Sequence, residues 1–196
     1  YEMNIRDWSS DVCSSDLTVV SVAEDFHNPF DGAPISSRMD VLVTGGAGFI
    51  GGHLAETFAE EGHDVVVLDN FEPYYDLGIK EYNVEVGREA AASSSGNYEL
   101  VEGSTTDGDL VDDLVSRVDI VYHQAAQAGV RTSVKEPRKV NSYNVEGTLN
   151  VLDAARDTDI DRVVNASSSS VYGKPEYLPY DEDHPTTPIS PYGVSK

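Results

Sequence analysis

Tyr192 and Lys196 stand four residues apart in the run Tyr192-Gly193-Val194-Ser195-Lys196. On a helix that spacing puts a phenol and an ammonium on one face, about one turn apart. An ammonium stabilises phenolate, so the pair is expected to make tyrosine a usable base near neutral pH. A serine run, Ser167-Ser168-Ser169-Ser170, follows a short apolar stretch at 162–166. Its hydroxyls therefore emerge at the carboxyl end of a strand, where open α/β sheets bind ligands. A third group works through backbone alone. Gly45, Gly48 and Gly51 lie in Thr44-Gly45-Gly46-Ala47-Gly48-Phe49-Ile50-Gly51. Glycines so spaced allow a tight turn, a close approach of backbone to a pyrophosphate, and close packing of helix on strand. The helix start offers free N–H groups and a partial positive charge to an anion. Asp69 ends the next strand pattern, 18 residues past Gly51. A carboxylate there accepts hydrogen bonds from a ribose diol and repels a 2′-phosphate, which favours NAD over NADP.

The elements that must position these groups follow from periodicity. Strands are predicted at 41–44 and 64–69, whose runs Val41–Val43 and Val65–Leu68 are apolar throughout, as parallel strands covered on both faces would be. Between them, 49–61 has Ile50, Leu54 and Phe58 at helical spacing, and Gly62 closes it. Further strands are predicted at 98–101, 118–122 and 162–166. Helices are predicted at 76–91, 107–116 and 137–156, with a last one starting near Ser190 or Pro191. Strands alternating with helices predict an α/β fold, a doubly wound parallel sheet of the Rossmann type, present in part.

The chain has 196 residues, with 35 Asp+Glu against 13 Lys+Arg, a formal net charge of −22. Such a surface repels phosphate backbones and anionic membranes, so neither nucleic acid nor membrane is an expected partner. Lysine is scarce beside abundant aspartate, which predicts a protein of a salt-rich cytoplasm, where screening weakens self-repulsion. Asp7 to Leu17 spells DWSSDVCSSDL, has no helical or alternating period, and matches the translation of a common sequencing-library adapter. Residues 1–38 are accordingly read as a non-native or disordered lead, with Met39 as the expected native start. That lead contains the single cysteine, Cys13, and the single tryptophan, Trp8, so neither carries an argument. Without residues 1–17 the chain loses four carboxylates and one arginine and stands at −19, so its acidity is intrinsic.

The segments TGGAGFIG at 44–51, LDNF at 68–71, HQAAQAGVRTS at 123–133, NVEGTLNVLDAA at 144–155, ASSSSVYG at 166–173 and SPYGVSK at 190–196 resemble, in family order, the extended short-chain dehydrogenases/reductases of the NAD-dependent epimerase/dehydratase family. DNFEPYYD at 69–76 with AAQAGVR is most similar to nucleotide-sugar 4-epimerases, including UDP-glucuronate types. The resemblance implies an NAD-dependent 4-epimerase acting by transient oxidation at C4 of a UDP-sugar. Tyr192 would take the proton of the 4-hydroxyl, Lys196 would hold the nicotinamide ribose and tune Tyr192, and Ser168 would share the substrate hydrogen bond. NAD would be held by Gly45, Gly48, Phe49, Ile50, Gly51, Asp69, Asn70, Ser104, Thr105, Gln124, Ala125 and Ala126, together with Tyr192 and Lys196.

The resemblance also sorts subclasses. Sugar 4,6-dehydratases of the family carry Thr-Asp-Glu at the places of Ser168, Ser169 and Ser170, and related decarboxylases keep a Glu at the place of Ser170. Neither acid is present here, which favours epimerisation. A dehydratase or another oxidoreductase of the family is the alternative, and a non-catalytic NAD-binding module is a second. Two positions depart from the family: Gly103-Ser104-Thr105 replaces Gly-Asp-Ile, and Gln124 stands where an apolar residue is common. Relatives run to roughly twice the length from Met39, so a fragment lacking the substrate domain is expected, from an enzyme that forms homodimers. His53 is expected on an exposed helix face, His123 in packing at a strand end, and Arg131 in a surface ion pair. No metal is expected, since no His/Cys/Asp cluster has ligand spacing.

Overall fold

In a computed structural model the described residues are 19–21, 38–158 and 160–196; the adapter-like segment at 7–17 lies outside them. Six strands form one sheet: β1 (Val19–Ser21), β2 (Asp40–Thr44), β3 (Asp64–Asp69), β4 (Asn97–Glu102), β5 (Ile120–His123) and β6 (Arg162–Ala166). Their order is β1-β6-β5-β2-β3-β4. β2 to β6 are mutually parallel, with Thr44 beside both Leu68 and His123. β1 runs antiparallel to β6 and pairs Val19 with Ala166. Three residues of the expected disordered lead thus join the sheet, meeting the N–H and C=O groups that an edge strand leaves unpaired.

Successive side chains of a strand point to opposite faces, and β2 shows why both faces needed covering. Val41 and Val43 pack with Val65, Val67, Phe58 and Ala55 under α1 (Phe49–Glu60) and α2 (Leu77–Ala92). Leu42 points the other way, into Leu68, Val111, Leu114, Val121 and Val151 under α3 (Gly108–Val115) and α6 (Gly147–Asp157). The unbroken Val/Leu run of β2 is the sequence form of that double burial.

The helix predicted at 137–156 is present but is not α-helical throughout. α4 (Val130–Lys135) precedes it, α5 (Pro137–Asn141) begins it, a π-helical turn spans Ser142–Glu146, and α6 continues it. The π turn accommodates Asn144, whose side chain is buried and bonded sideways rather than along the helix. Nδ2 of Asn144 donates to Gln127 O (3.2 Å) and Ser195 Oγ (2.9 Å), and Oδ1 accepts from Gln127 N (2.7 Å). Inserted turns of this kind frequently mark functional sites. The last helix, α7 (Pro191–Val194), starts where the sequence indicates, with Ser190 as N-cap accepting from Gly193 N. No helix among the described residues is long and apolar enough to cross a membrane.

Candidate active site

The carboxyl ends of the parallel strands open into a cleft of about 270 Å³. Its floor is the glycine loop. Gly45 has φ +66, a left-handed conformation that glycine adopts without penalty, and a Cβ there would stand 2.8 Å from Ala125. A Cβ on Gly51 would collide with the Gly45 carbonyl, so the third glycine is what lets α1 sit on the turn. α1 begins at Phe49 after Gly48, with no side chain capping it and no acidic residue in its first turn. Phe49 and Ile50 face the cleft and are half-exposed. An uncapped twelve-residue helix start aimed into a cleft is the donor set a diphosphate requires.

Asp69 ends β3 on the cleft wall, buried, with its carboxylate largely engaged. Oδ1 accepts from Phe71 N (2.8 Å) and Lys80 Nζ (2.9 Å), and Oδ2 accepts from Ala47 N (3.2 Å). The Lys80 and Asp69 side chains are 8% and 3% exposed, so this is a buried ion pair. Lys80 also lies over the rings of Phe71 and Tyr75, 5.8 and 5.7 Å from their centroids. Lys80 was not apparent from spacing, although a lysine on an otherwise acidic amphipathic helix, one of five in the chain, was a usable signal. The pair offsets part of the charge that Asp69 would present to a 2′-phosphate. Lys80→Met would strand a buried carboxylate, an error that costs roughly 3–5 kcal/mol. We expect a loss of that order in urea unfolding of the full-length protein, with the double variant Lys80→Met/Asp69→Asn recovering part of it.

Ser104, Thr105, Gln124, Ala125 and Ala126 complete the cleft wall, and Asn70 closes its edge. Asn70 uses its Oδ1 on Glu72 N (3.0 Å). Thr105 is buried against Gly147, and its carbonyl accepts from Asn150 Nδ2 (2.9 Å). Behind the wall runs a chain of buried hydrogen bonds whose direction is fixed at both ends. Ala125 N donates to Thr44 Oγ1 (3.2 Å), and Thr148 Oγ1 donates to Asn144 O (2.6 Å). Between them, His123 Nδ1 lies 2.7 Å from Thr44 Oγ1 and Nε2 2.9 Å from Thr148 Oγ1. Thr44 therefore donates to Nδ1, and His123 is the neutral Nε2–H tautomer. Burial, with the nearby Lys196 charge, pushes the imidazole down to about 3. The expected packing residue is thus a polar link between the glycine loop and the π turn.

At the far end of the cleft, Ser168 follows β6 and caps the 3-10 turn Ser169–Val171 through Ser170 N (3.2 Å). Its hydroxyl favours the phenolate form of Tyr192, which lines the cleft on α7. Lys196 lines it too, and its backbone O accepts from Ser167 Oγ (3.1 Å). Every residue that the sequence assigns to the cofactor lines this one cleft, while Ser168 lies outside its lining, next to Ser167, which is part of it. One expectation is corrected. Tyr192 is held above its ordinary value, because burial disfavours phenolate more than the Ser168 hydrogen bond favours it; Tyr74 adds to the rise. Lys196 is not among the groups that shift the phenol, and burial pushes its own ammonium down to about 8. His53 is exposed beside Glu56, as expected. Among the described residues no group of three or more His, Cys, Asp or Glu could hold a metal ion.

Comparison with known proteins follows from this geometry. The family profile described as GDP-mannose 4,6-dehydratase matches residues 42–196. A Methanocaldococcus jannaschii protein that carries the provisional name UDP-glucose 4-epimerase is 43% identical over 158 residues, covering 80% of this chain and 47% of the relative. The Arabidopsis thaliana UDP-glucuronate 4-epimerase 1 is 38% identical over 82% of this chain and 37% of its own. The crystal structure of UDP-glucose-4-epimerase from Stenotrophomonas maltophila, with bound NAD and formylated UDP-arabinopyranose, superposes with a TM-score of 0.69 at 32% identity. That match covers 81% of this chain and 46% of the crystallised one. The chain spans about half the length, or less, of these proteins.

Proposed function

We propose that this chain, which belongs to the NAD-dependent epimerase/dehydratase family of extended short-chain dehydrogenases/reductases, is the cofactor-binding part of a UDP-sugar 4-epimerase of the UDP-glucose or UDP-glucuronate type. The observation that carries the reading is that Tyr192 and Lys196 line the same cleft as an uncapped glycine-loop helix start, with Ser168 at the turn after β6. The site residues fit NAD. Gly45, Gly48 and Gly51 let the loop turn tightly and α1 pack against it, Phe49 and Ile50 line the cleft at that helix start, and Asp69 lines it at the end of β3, which supports a diphosphate at the loop and a ribose near Asp69.

NAD, when bound, supplies a hydride acceptor and then a hydride donor at C4 of the sugar. Tyr192 holds the 4-hydroxyl and takes its proton, then returns it when the other face of C4 is reduced. Ser168 fixes the phenol and stabilises its anion, since it already lowers the Tyr192 value. Lys196 holds the nicotinamide ribose. The neutral His123 link keeps Thr44 and Ala125 in register with the wall that carries Gln124.

A second reading, 4,6-dehydration, is favoured by the description of the matching family profile. Against it, eliminating water needs a further acid and base, and the turn beside Tyr192 offers only Ser169 and Ser170. Incubating the full-length protein with UDP-glucose and UDP-glucuronate decides among the readings. We expect the C4 epimer by proton NMR. A 4-keto-6-deoxy product identifies a dehydratase, and NAD binding without turnover identifies a binding module. We also propose a salt-rich cytoplasm and a homodimeric whole protein. The urea midpoint should rise between about 0.2 and 3 M KCl, where screening relieves the acidic surface; a flat profile refutes the halophilic reading.

A further inference from the structure

β2 lies between β3 and β5. Anything that joins the segment after β3 to the segment after β5 must therefore pass over the carboxyl end of β2, where the glycine loop is. Two links make that crossing. Lys139 Nζ on α5 donates to Glu72 Oε1 at 2.6 Å, and the Tyr143 hydroxyl donates to Glu72 Oε2 at 3.4 Å. Beside them the Tyr74 hydroxyl approaches Gly129, 3.1 Å from where a Cβ would stand. Glu72, Tyr74 and Tyr143 all line the cleft.

The crossing segment is wound tightly. Asp69 Oδ1 holds Phe71 N, Asn70 Oδ1 holds Glu72 N, and the Glu72 carbonyl accepts from Tyr74 N at 2.8 Å. Phe71 has φ 50, a left-handed conformation that bulky residues avoid and that persists only where the surroundings impose it. The Glu72 and Lys139 side chains are 29% and 34% exposed, so water can reach the pair and separate it without unfolding the sheet.

We propose that residues 71–75 form a strap across the nucleotide cleft, fastened by the Glu72–Lys139 ion pair, and that unfastening it sets how fast the cofactor enters and leaves. The inference rests on the NAD reading above. An epimerase that regenerates its cofactor in each cycle gains nothing from releasing it, and a strap keeps it in place between turnovers. The two partners are not equivalent. Glu72 faces the cleft that a diphosphate would occupy, and Lys139 cancels its charge.

The test measures NADH binding to the full-length protein by stopped-flow fluorescence, with dissociation followed by displacement with excess NAD. Glu72→Gln should raise the dissociation rate about three- to fivefold, in line with a partly exposed ion pair, and should leave association equal or faster. Lys139→Met should raise dissociation similarly but slow association, because the uncancelled carboxylate repels the diphosphate. The exchange Glu72→Lys with Lys139→Glu should restore dissociation to within about twofold of the original rate. A merely structural role would not split association between the two single variants. Unchanged rates in both, or a charge exchange that restores nothing, overturns the strap. If the unmodified protein binds no NADH, the NAD reading falls and the strap with it.

Discussion

Tyr192→Phe in the full-length protein should lower kcat for C4 epimerisation by about 10³-fold, within the ~10²–10⁴ that a positioned proton-transfer group contributes. KM for the UDP-sugar and affinity for NADH should barely move, because phenylalanine keeps the ring that fills the space behind the cleft. Ser168→Ala should cost less, roughly tenfold in kcat. Its diagnostic effect is on pH. The working base is phenolate, so kcat/KM climbs as Tyr192 loses its proton. Ser168 lowers the Tyr192 value against the upward push of burial. Removing that hydroxyl should therefore move the rising limb to higher pH. Steady-state rates from about pH 7 to 11 check both statements. A Tyr192→Phe protein that keeps more than a tenth of the original kcat removes Tyr192 from the role of base.

His123→Leu should destabilise the full-length protein by roughly 2–4 kcal/mol, because the buried Thr44 hydroxyl loses its acceptor and two segments lose their bridge. Its effect on pH dependence should be larger still. His123 sits at about 3 in the folded chain against an ordinary 6.5. The folded state keeps it neutral, whereas the unfolded chain takes up a proton once pH falls below 6.5. Stability is therefore fully present above about pH 6.5. It declines towards pH 3 with a slope approaching ~1.4 kcal/mol per pH unit. Urea unfolding at several values between about pH 7.5 and 4.5 should show this decline in the original protein and a shallower one in His123→Leu. Parallel curves would mean that the imidazole does not depend on the buried link.

The residues and order of the cleft were legible in the sequence to an unusual degree because they are local. A glycine at 45, 48 or 51 acts through its own backbone, and Asp69 acts through its place at a strand end. The alternation of Val-rich runs with helical spacing fixed the doubly wound sheet, since a strand covered on both faces cannot hide its composition. Ser190 before Pro191 marked the start of α7 by capping chemistry alone. What failed to show was whatever depends on residues distant in sequence. The helix at 137–156 carries Val145, Leu149 and Leu152 at helical spacing, yet all three are exposed, and the buried residue of the π turn is Asn144, held by Gln127 and Ser195. His123 reads as a packing residue until Thr44 and Thr148 are seen on either side of its ring.

Taken alone, the sequence determined the family, the parallel sheet, the glycine loop between β2 and α1 and the candidates Ser168, Tyr192 and Lys196, because each is a short motif whose chemistry travels with its own backbone. Only the tertiary structure decided the charge state of those groups and what closes the cleft. Tyr192 is raised rather than lowered, since desolvation comes from atoms packed around it and not from its neighbour four residues on. Lys80 is buried against Asp69 because α2 packs back beside the end of β3, and Glu72 meets Lys139 across the end of β2, which lies between β3 and β5. Burial and long-range charge pairing are properties of the packed chain, and no spacing within one segment encodes them.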